Sequence, residues 1–274
     1  MDQKSSGGPV KWLLIGISVL FLAVMLVLPL VYVLATAFRE GWSAYVKAVT
    51  DPYAIKAVQL TLQATAAALV INTIFGIFAA WCITRFQFRG KKVLSTFIDL
   101  PLTVSPIIAG LIYVLTFGRQ SALYPLLQRY NITIIYAVPG IVLATVFVTF
   151  PFISREIIPV LTAAGTEEEE AAALMGANGW TIFWKVTFPH IKWALLYGMV
   201  LCTARAMGEF GAVSVLSGHL RGKTNTMPLY IELLYQGYDF TGAFAMSSIL
   251  VLMAILVLIL RSVLEVLGRK DHEV

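Results

Sequence analysis

The most constraining feature of the sequence is a series of long runs without charged side chains. Two of them, residues 12–38 and 57–84, each exceed the roughly 20 apolar residues that an α-helix needs to cross a bilayer. Only 13% of the whole chain is charged, whereas soluble domains carry roughly 25% charged residues. We therefore expect a membrane protein. Because lipid offers the backbone no hydrogen-bond partners, the predicted fold class is all-α.

The hydropathy pattern predicts six membrane-spanning helices joined by polar loops. A short loop after the second span holds Arg85, Arg89, Lys91 and Lys92, and dense Lys and Arg in a short loop favour the cytoplasmic side. An even number of spans then places both termini in the cytoplasm, with outer loops at 39–56, 119–129 and 219–241. The predicted spans cover residues 12–38, 57–84, 93–118, 130–154, 193–218 and 242–260.

The domain organisation follows from these spans. Residues 1–56 should form a cytoplasmic tail, the first span and an outer loop; residues 57–262 a core of five helices with a cytoplasmic element at 165–191; and residues 263–274 a cytoplasmic tail. The first apolar run is far longer than the core of a signal peptide. The net charge of +5 is spread beside the spans, which indicates membrane orientation and not nucleic-acid binding.

Cysteine and histidine usage predicts neither a disulfide framework nor a metal site. Cys82 and Cys202 both fall within predicted spans, where we expect them to be small buried apolar residues. The three histidines are far apart and follow no ligand spacing.

The element at 165–191 is the longest polar interruption of the core. Thr166 and Glu169 have the spacing of a capping box, which predicts the start of a helix, and Gly176 is placed to end it with a left-handed cap. A second short helix should start near Asn178 and end at Pro189. Trp180, Phe183 and Trp184 would share one of its faces. Taken alone, the acidic run is typical of a solvated helix start; between two spans, the element indicates a docking surface for a soluble partner.

Within this element, Glu-Ala-Ala at residues 170–172 is followed by Gly176 and, thirteen residues later, by Pro189. This spacing resembles the coupling-helix motif of bacterial ABC importer permeases. Phe188 stands where that motif usually has Leu, and Val186 stands for Ile. The resemblance implies that the element docks in a cleft of a soluble ATPase, which binds ATP and Mg, so that this chain is no enzyme and carries no cofactor. No glycine-rich phosphate loop is present in the sequence. The implied coupling residues are Glu170, Ala171, Ala172, Gly176, Val186, Phe188 and Pro189.

A charged pair lies inside the predicted fifth span. Arg205 and Glu209 are four residues apart, so they share a helix face and can pair. One interpretation is a structural ion pair, with Gly208 and Gly211 allowing close helix packing. The other is that Arg205 attracts or contacts an anion, because intramembrane charges are costly and commonly functional.

The predicted third span is broken by prolines. Pro101 and Pro106 free backbone groups that must find other partners. A simple proline kink explains the pattern. Alternatively, the break faces a transported substrate, because broken membrane helices often do so. In that case Thr103 and Ser105 add hydroxyl donors to the path of an anion.

Several stretches together resemble one family, the W-type permeases of sulfate/thiosulfate ABC importers. The resemblance covers nearly the whole chain and rests on residues 97–101, 105–111, 204–215 and 217–222 as well as the coupling motif. It implies a type I ABC importer permease fold in the bacterial inner membrane. The implied partners are membrane lipid, a homologous T-type permease subunit, two ATPase subunits and a periplasmic sulfate- or thiosulfate-binding protein.

Three other functions remain open from the sequence. Residues 204–212 are shared with molybdate permeases, so a permease for molybdate, tungstate or another oxyanion is the main alternative. A membrane-embedded enzyme would use Glu209 as an acid or base, although no second carboxylate or nucleophile accompanies it. A pure assembly scaffold would need no transport path. In that case, substitutions that change the charge at Arg205 would leave transport kinetics unchanged.

Overall fold

The computed structural model describes residues 9–272, with side chains from 10 to 268, and no strand occurs in that range. Residues 1–8 of the predicted N-terminal cytoplasmic tail lie outside this range, as do the side chains of residues 269–272 in the predicted C-terminal tail. The α-helices are α1 (Pro9–Leu22), α2 (Leu28–Ala37), α3 (Trp42–Val49), α4 (Pro52–Arg85), α5 (Lys91–Thr103), α6 (Pro106–Phe117), α7 (Tyr124–Arg129), α8 (Val138–Thr149), α9 (Pro151–Ala164), α10 (Glu167–Leu174), α11 (Gly179–Ile182), α12 (Phe188–Met207), α13 (Gly211–Ser217), α14 (Met227–Gln236) and α15 (Phe240–His272).

Four long apolar helical stretches in the described part of the chain could each cross a membrane. Two bent pairs add to them: α5 and α6 meet at 109°, and the helix Gly179–Met207 meets α13 at 53°. The total is six if each bent pair forms one span. The third predicted span is therefore broken, as expected. The four unbent stretches are Val10–Ala37, Pro52–Arg85, Val138–Ala164 and Phe240–Gly268.

The predicted limits of the fourth span are wrong at both ends. The helix starts at Val138 and not at residue 130, because Pro139 favours a helix start and Ala137 before it is extended. It continues through Arg155 to Ala164 and ends at Gly165, which has a φ of 69°. The charge of Arg155 does not end the helix, because Arg155 Nε pairs with Asp99 Oδ1 of α5 at 2.8 Å. The charges had suggested an end ten residues too early.

The three predicted outer loops contain helices. The loop at 39–56 holds α3 and the first turn of α4, whose N-terminus is capped by the Asp51 carboxylate accepting from the Tyr53 and Ala54 backbone N–H groups. The loop at 119–129 includes α7, and the loop at 219–241 includes α14. At the other end, the predicted tail 263–274 is helical as far as His272.

The centre of the bundle is built from closely approaching helices with small residues. A Cβ added to Gly76 of α4 would lie 2.8 Å from Ile153 Cγ2 of α9, and one added to Gly198 of α12 would lie 3.0 Å from Ile153 Cα. Small residues allow such contacts between membrane helices. The Asn72 amide of α4 adds a buried hydrogen bond to Thr149 Oγ1 at 2.8 Å. Thus α4, α8, α9 and α12 form one closely packed core.

The two cysteines differ in their surroundings. Both are free thiols; Cys202 is buried next to Asn72, whereas Cys82 is half-buried. The prediction of a buried apolar role is therefore confirmed for Cys202 only.

Candidate functional site: an exposed helical turn and two adjacent helix breaks

The short helix α10 ends as its sequence predicts. Gly176 adopts a left-handed conformation with a φ of 86°. The Ala177 N–H donates to the Ala172 carbonyl, and the Gly176 N–H donates to the Ala173 carbonyl, both at 3.0 Å. This is the hydrogen-bond pattern of a Schellman cap. A Cβ on Gly176 would meet nothing within 4 Å, so backbone conformation and not space favours glycine there.

The predicted capping box at the start of α10 is wrong. Thr166 Oγ1 donates to Glu170 Oε1 at 2.7 Å instead of capping the helix. Glu169 turns inward and pairs with Arg85, with Nε and Oε2 2.8 Å apart. A guanidinium is a stronger partner for a carboxylate than a backbone N–H, because both groups are charged.

The second predicted short helix exists but does not end at Pro189. It starts at Gly179, capped by Asn178 Oδ1, which accepts from the Thr181 N–H at 2.8 Å. The chain then continues through the π-helical segment Phe183–Thr187 into α12. The wider π turn, in which the Phe188 N–H donates to the Phe183 carbonyl, admits the proline ring that would clash in a regular helix. The element is therefore attached to a long continuous helix, Gly179–Met207.

An aromatic cluster fixes this helix to α4. The Phe183 ring lies 5.3 Å from the Trp184 ring, 6.4 Å from the Trp180 ring and 6.0 Å from the Trp81 ring of α4, measured between centroids. The predicted aromatic face is confirmed. Phe188 also packs on Trp184 at 5.0 Å, which explains why an aromatic residue suits the position where the motif usually has leucine.

The predicted coupling residues divide into an outward and an inward set. Leu174 and Met175 at the tip are 91% and 82% exposed, which is unusual for large apolar side chains. No part of the described chain covers these apolar side chains or the exposed motif residues. Ala172 is buried, Val186 and Phe188 are half-buried, and the exposed motif residues are Glu170, Ala171, Gly176 and Pro189.

Arg205 and Glu209 pair as predicted, with Nη1 and Oε2 2.6 Å apart. They do not lie on one continuous helix, because α12 ends at Met207 and Glu209 falls in the break before α13. Glu209 Oε1 accepts from the Ala212 N–H at 2.9 Å and so holds the start of α13. The Glu209 side chain is 1% exposed, while that of Arg205 is 34% exposed. The arginine thus keeps an accessible face.

The break of the third span lies against the break of the fifth. A Cβ on Gly211 would be 3.0 Å from Pro106 Cβ, and one on Gly110 would be 2.7 Å from the Ala212 carbonyl oxygen. Ser105 stands at the N-cap of α6 without a side-chain capping bond. Thr103 Oγ1 donates to the Leu100 carbonyl at 2.9 Å, so its proton is already used within its own turn.

Sequence reasoning missed the partners of Glu169. The sequence pattern indicates Arg85 only as one of four basic residues that orient the chain, and it indicates no role for Thr187. Neither has a local sequence relation to Glu169 that could have revealed the contact. Among the described residues, no group of three or more His, Cys, Asp and Glu side chains could hold a metal ion.

Comparison with solved structures defines the class of protein. The fold matches a chain of a bacterial alginate ABC transporter, crystallised in complex with an alginate pentasaccharide-bound periplasmic protein. The TM-score is 0.76, the identity is 18%, and 95% of each chain is covered. At this identity the likeness shows the fold alone, which is that of an ABC transporter chain.

Comparison of sequences then defines the family. Residues 72–270 match the family described as binding-protein-dependent transport system inner membrane component. The sulfate transport system permease protein CysW of Escherichia coli (strain K12) is 47% identical, covering 93% of this chain and 88% of the relative. The chain belongs to this family of inner membrane transport components.

The relatives also separate the two permease types. The sulfate transport system permease protein CysT of the same strain is 34% identical, covering 89% of this chain and 88% of the relative. The identity to the W-type protein is higher, which confirms the predicted W-type resemblance.

Proposed function

We propose that this chain is the W-type permease subunit of an ATP-driven ABC importer that moves sulfate or thiosulfate across the bacterial inner membrane. The observation that carries the proposal is the exposed apolar turn at Leu174 and Met175, which lies within the coupling motif of a chain with sulfate-permease relatives. In this reading the chain crosses the membrane six times as a type I importer permease, with both termini in the cytoplasm.

The exposed turn is the surface on which an ATPase subunit docks. Ala171 and Gly176 present little side-chain bulk, so a partner cleft can close around α10, and Leu174 and Met175 fill it with apolar surface. ATP and Mg are bound by two ATPase subunits. Their closure moves α10 as a rigid body. The chain itself acts as a permease and not as an enzyme.

The two adjacent helix breaks belong to the path of the anion. A bare dianion pays tens of kcal/mol on entering hydrocarbon, so a polar path is required. Arg205 offers positive charge and an accessible face, and Ser105 offers a hydroxyl group that caps no backbone N–H. Thr103 contributes less, since its hydroxyl proton is bonded. A homologous T-type permease subunit completes the path, and a periplasmic binding protein delivers the anion.

Molybdate or tungstate is the second candidate substrate. The accessible Arg205 guanidinium beside the fifth-span break and the Ser105 hydroxyl of the third-span break would suit any tetrahedral dianion, because these groups recognise charge and shape. The names of the relatives favour sulfate.

The test is the ATPase rate of the reconstituted complex, with the binding protein loaded with sulfate, thiosulfate or molybdate in turn. We expect stimulation by sulfate or thiosulfate that disappears when this chain is omitted. Stimulation by molybdate alone would show that sulfate is not the substrate, while the proposed coupling mechanism would still hold. Failure of the chain to assemble with any ATPase subunit would overturn the proposal as a whole.

A further inference from the structure

One buried ion pair ties the docking helix to the membrane core. Arg85 is the last residue of α4, and its side chain is 9% exposed. Its guanidinium binds Glu169 through two contacts, from Nε to Oε2 at 2.8 Å and from Nη2 to Oε1 at 3.0 Å. The Glu169 side chain is 16% exposed. The Nη2 contact is a hydrogen bond and the Nε contact is a charge contact by distance, so the guanidinium holds the carboxylate at two points.

The same pair reaches two further helices. Arg85 Nη1 donates to the Leu161 carbonyl of α9 at 2.9 Å. Glu169 Oε1 accepts from the buried Thr187 Oγ1, at the end of the π-helical segment that leads into α12, at 2.7 Å. One carboxylate and one guanidinium therefore connect α10 with α4, α9 and the start of α12.

The neighbouring acids of α10 have no comparable role. Glu168 pairs with His190 at 2.8 Å, but both side chains are solvent-exposed. Glu170 bonds to Thr166 of its own turn. Apart from these contacts, Ala172 is the residue that α10 buries, so α10 has little apolar surface with which to grip its own bundle.

We propose that the Arg85–Glu169 pair is the mechanical link through which movement of the docking helix reaches the membrane core. The inference rests on the proposed function, since it assumes that α10 is the surface moved by an ATPase. Arg85 and Glu169 are positioning residues: they touch neither the anion nor ATP. When the pair is intact, a displacement of α10 carries the ends of α4, α9 and α12 with it. Without the pair, α10 still docks, but only the exposed Glu168–His190 contact and the connecting chain link its movement to the core.

The pair makes a specific prediction about coupling. In the full complex in proteoliposomes, Glu169→Gln should still assemble and hydrolyse ATP, while sulfate uptake per ATP falls by about tenfold, because one partner of a buried pair is lost. Arg85→Gln should give a similar loss. Since the two residues act as a unit, the double variant Arg85→Gln with Glu169→Gln should be no worse than either single variant. Glu168→Gln, on the same helix but exposed, is the matched control and should keep the wild-type ratio.

The measurement is sulfate uptake and ATP hydrolysis on the same vesicles, with the amount of co-purified ATPase subunit as a third readout. An unchanged ratio of uptake to hydrolysis in Glu169→Gln would overturn the inference, whether or not total activity falls with the amount of complex. Additive losses in the double variant would also overturn it. A wild-type complex without ATP-driven uptake would instead overturn the proposed function, and with it the assumption behind the link.

Discussion

Two Arg–Glu pairs in the described part of the chain connect different parts of the structure. Arg205 and Glu209 are four residues apart, and their pair holds together one bent helix, with the carboxylate also fixing the start of α13. Arg85 and Glu169 are 84 residues apart, and their pair holds together separate helices. The first pair keeps one side chain accessible; the second is largely buried on both sides.

This difference separates two tasks. The pair at the helix break shapes a local site and leaves one face of the arginine exposed. A pair between helices transmits position, because neither partner can move without the other. Changes at the first pair should therefore alter stability and anion affinity, whereas changes at the second should alter the coupling of ATP hydrolysis to transport.

The largest expected effect is at Glu209. Glu209→Ala removes the partner of Arg205 and the acceptor of the Ala212 N–H together, and should destabilise the complex by about 3 kcal/mol. Glu209→Gln retains an acceptor for the backbone and should lose less. The measurement is thermal unfolding of the purified complex. Equal melting temperatures for Glu209→Ala and the wild type would show that the break does not depend on this carboxylate.

The contact between the two helix breaks should be sensitive to a single methyl group. In Gly110→Ala, the new Cβ would meet the Ala212 carbonyl oxygen at 2.7 Å, a backbone atom that cannot turn away. We expect a loss of about 2 kcal/mol in stability. Gly16→Ala is the control, because nothing lies within 4 Å of a Cβ there. If both variants melt alike, the two breaks do not pack as described.

Arg205 distinguishes a local ion pair from an anion contact. Arg205→Gln should raise the KM for sulfate uptake about tenfold, equivalent to roughly 1.4 kcal/mol of lost interaction. Arg205→Lys keeps the charge and should recover part of the affinity. Uptake kinetics normalised to the amount of complex provide the measurement. If the variant lowers the amount of complex but leaves the KM unchanged, Arg205 has a structural role and does not contact the anion.

The smallest effect is expected at Thr187. Thr187→Val removes one hydrogen bond to Glu169 and leaves the Arg85 contact intact, so we expect a loss of about 1 kcal/mol in stability with a nearly normal ratio of uptake to hydrolysis. Thr162→Val, an exposed site whose hydroxyl bonds within its own helix, should be neutral. A loss of coupling as large as that of Glu169→Gln would mean that Thr187 and not Arg85 is the main partner.

The sequence predicted well those features that depend on near neighbours. The left-handed cap at Gly176, the helix start at Asn178 and the Arg205–Glu209 pair all follow from contacts within a few residues. The broken third span was likewise evident from Pro106. These features need no knowledge of how the helices pack.

Features that depend on packing were missed or wrong. Glu169 was predicted to cap its own helix, but a distant Arg85 provides a stronger partner. Pro189 was predicted to end a helix, but a π-helical turn accommodates it. The fourth span was predicted to end near Arg155, but the helix continues, and Asp99 of another helix pairs with that arginine. In each case the deciding residue lies elsewhere in the chain.

The most direct test of the account is ATP-driven sulfate uptake by proteoliposomes that contain the complex with Gly176→Asp. The account predicts that this variant stays in the membrane with its T-type partner but loses uptake, because a charged side chain enters the turn that docks on the ATPase. Unchanged uptake in Gly176→Asp would contradict the central claim that this exposed turn couples the permease to ATP hydrolysis.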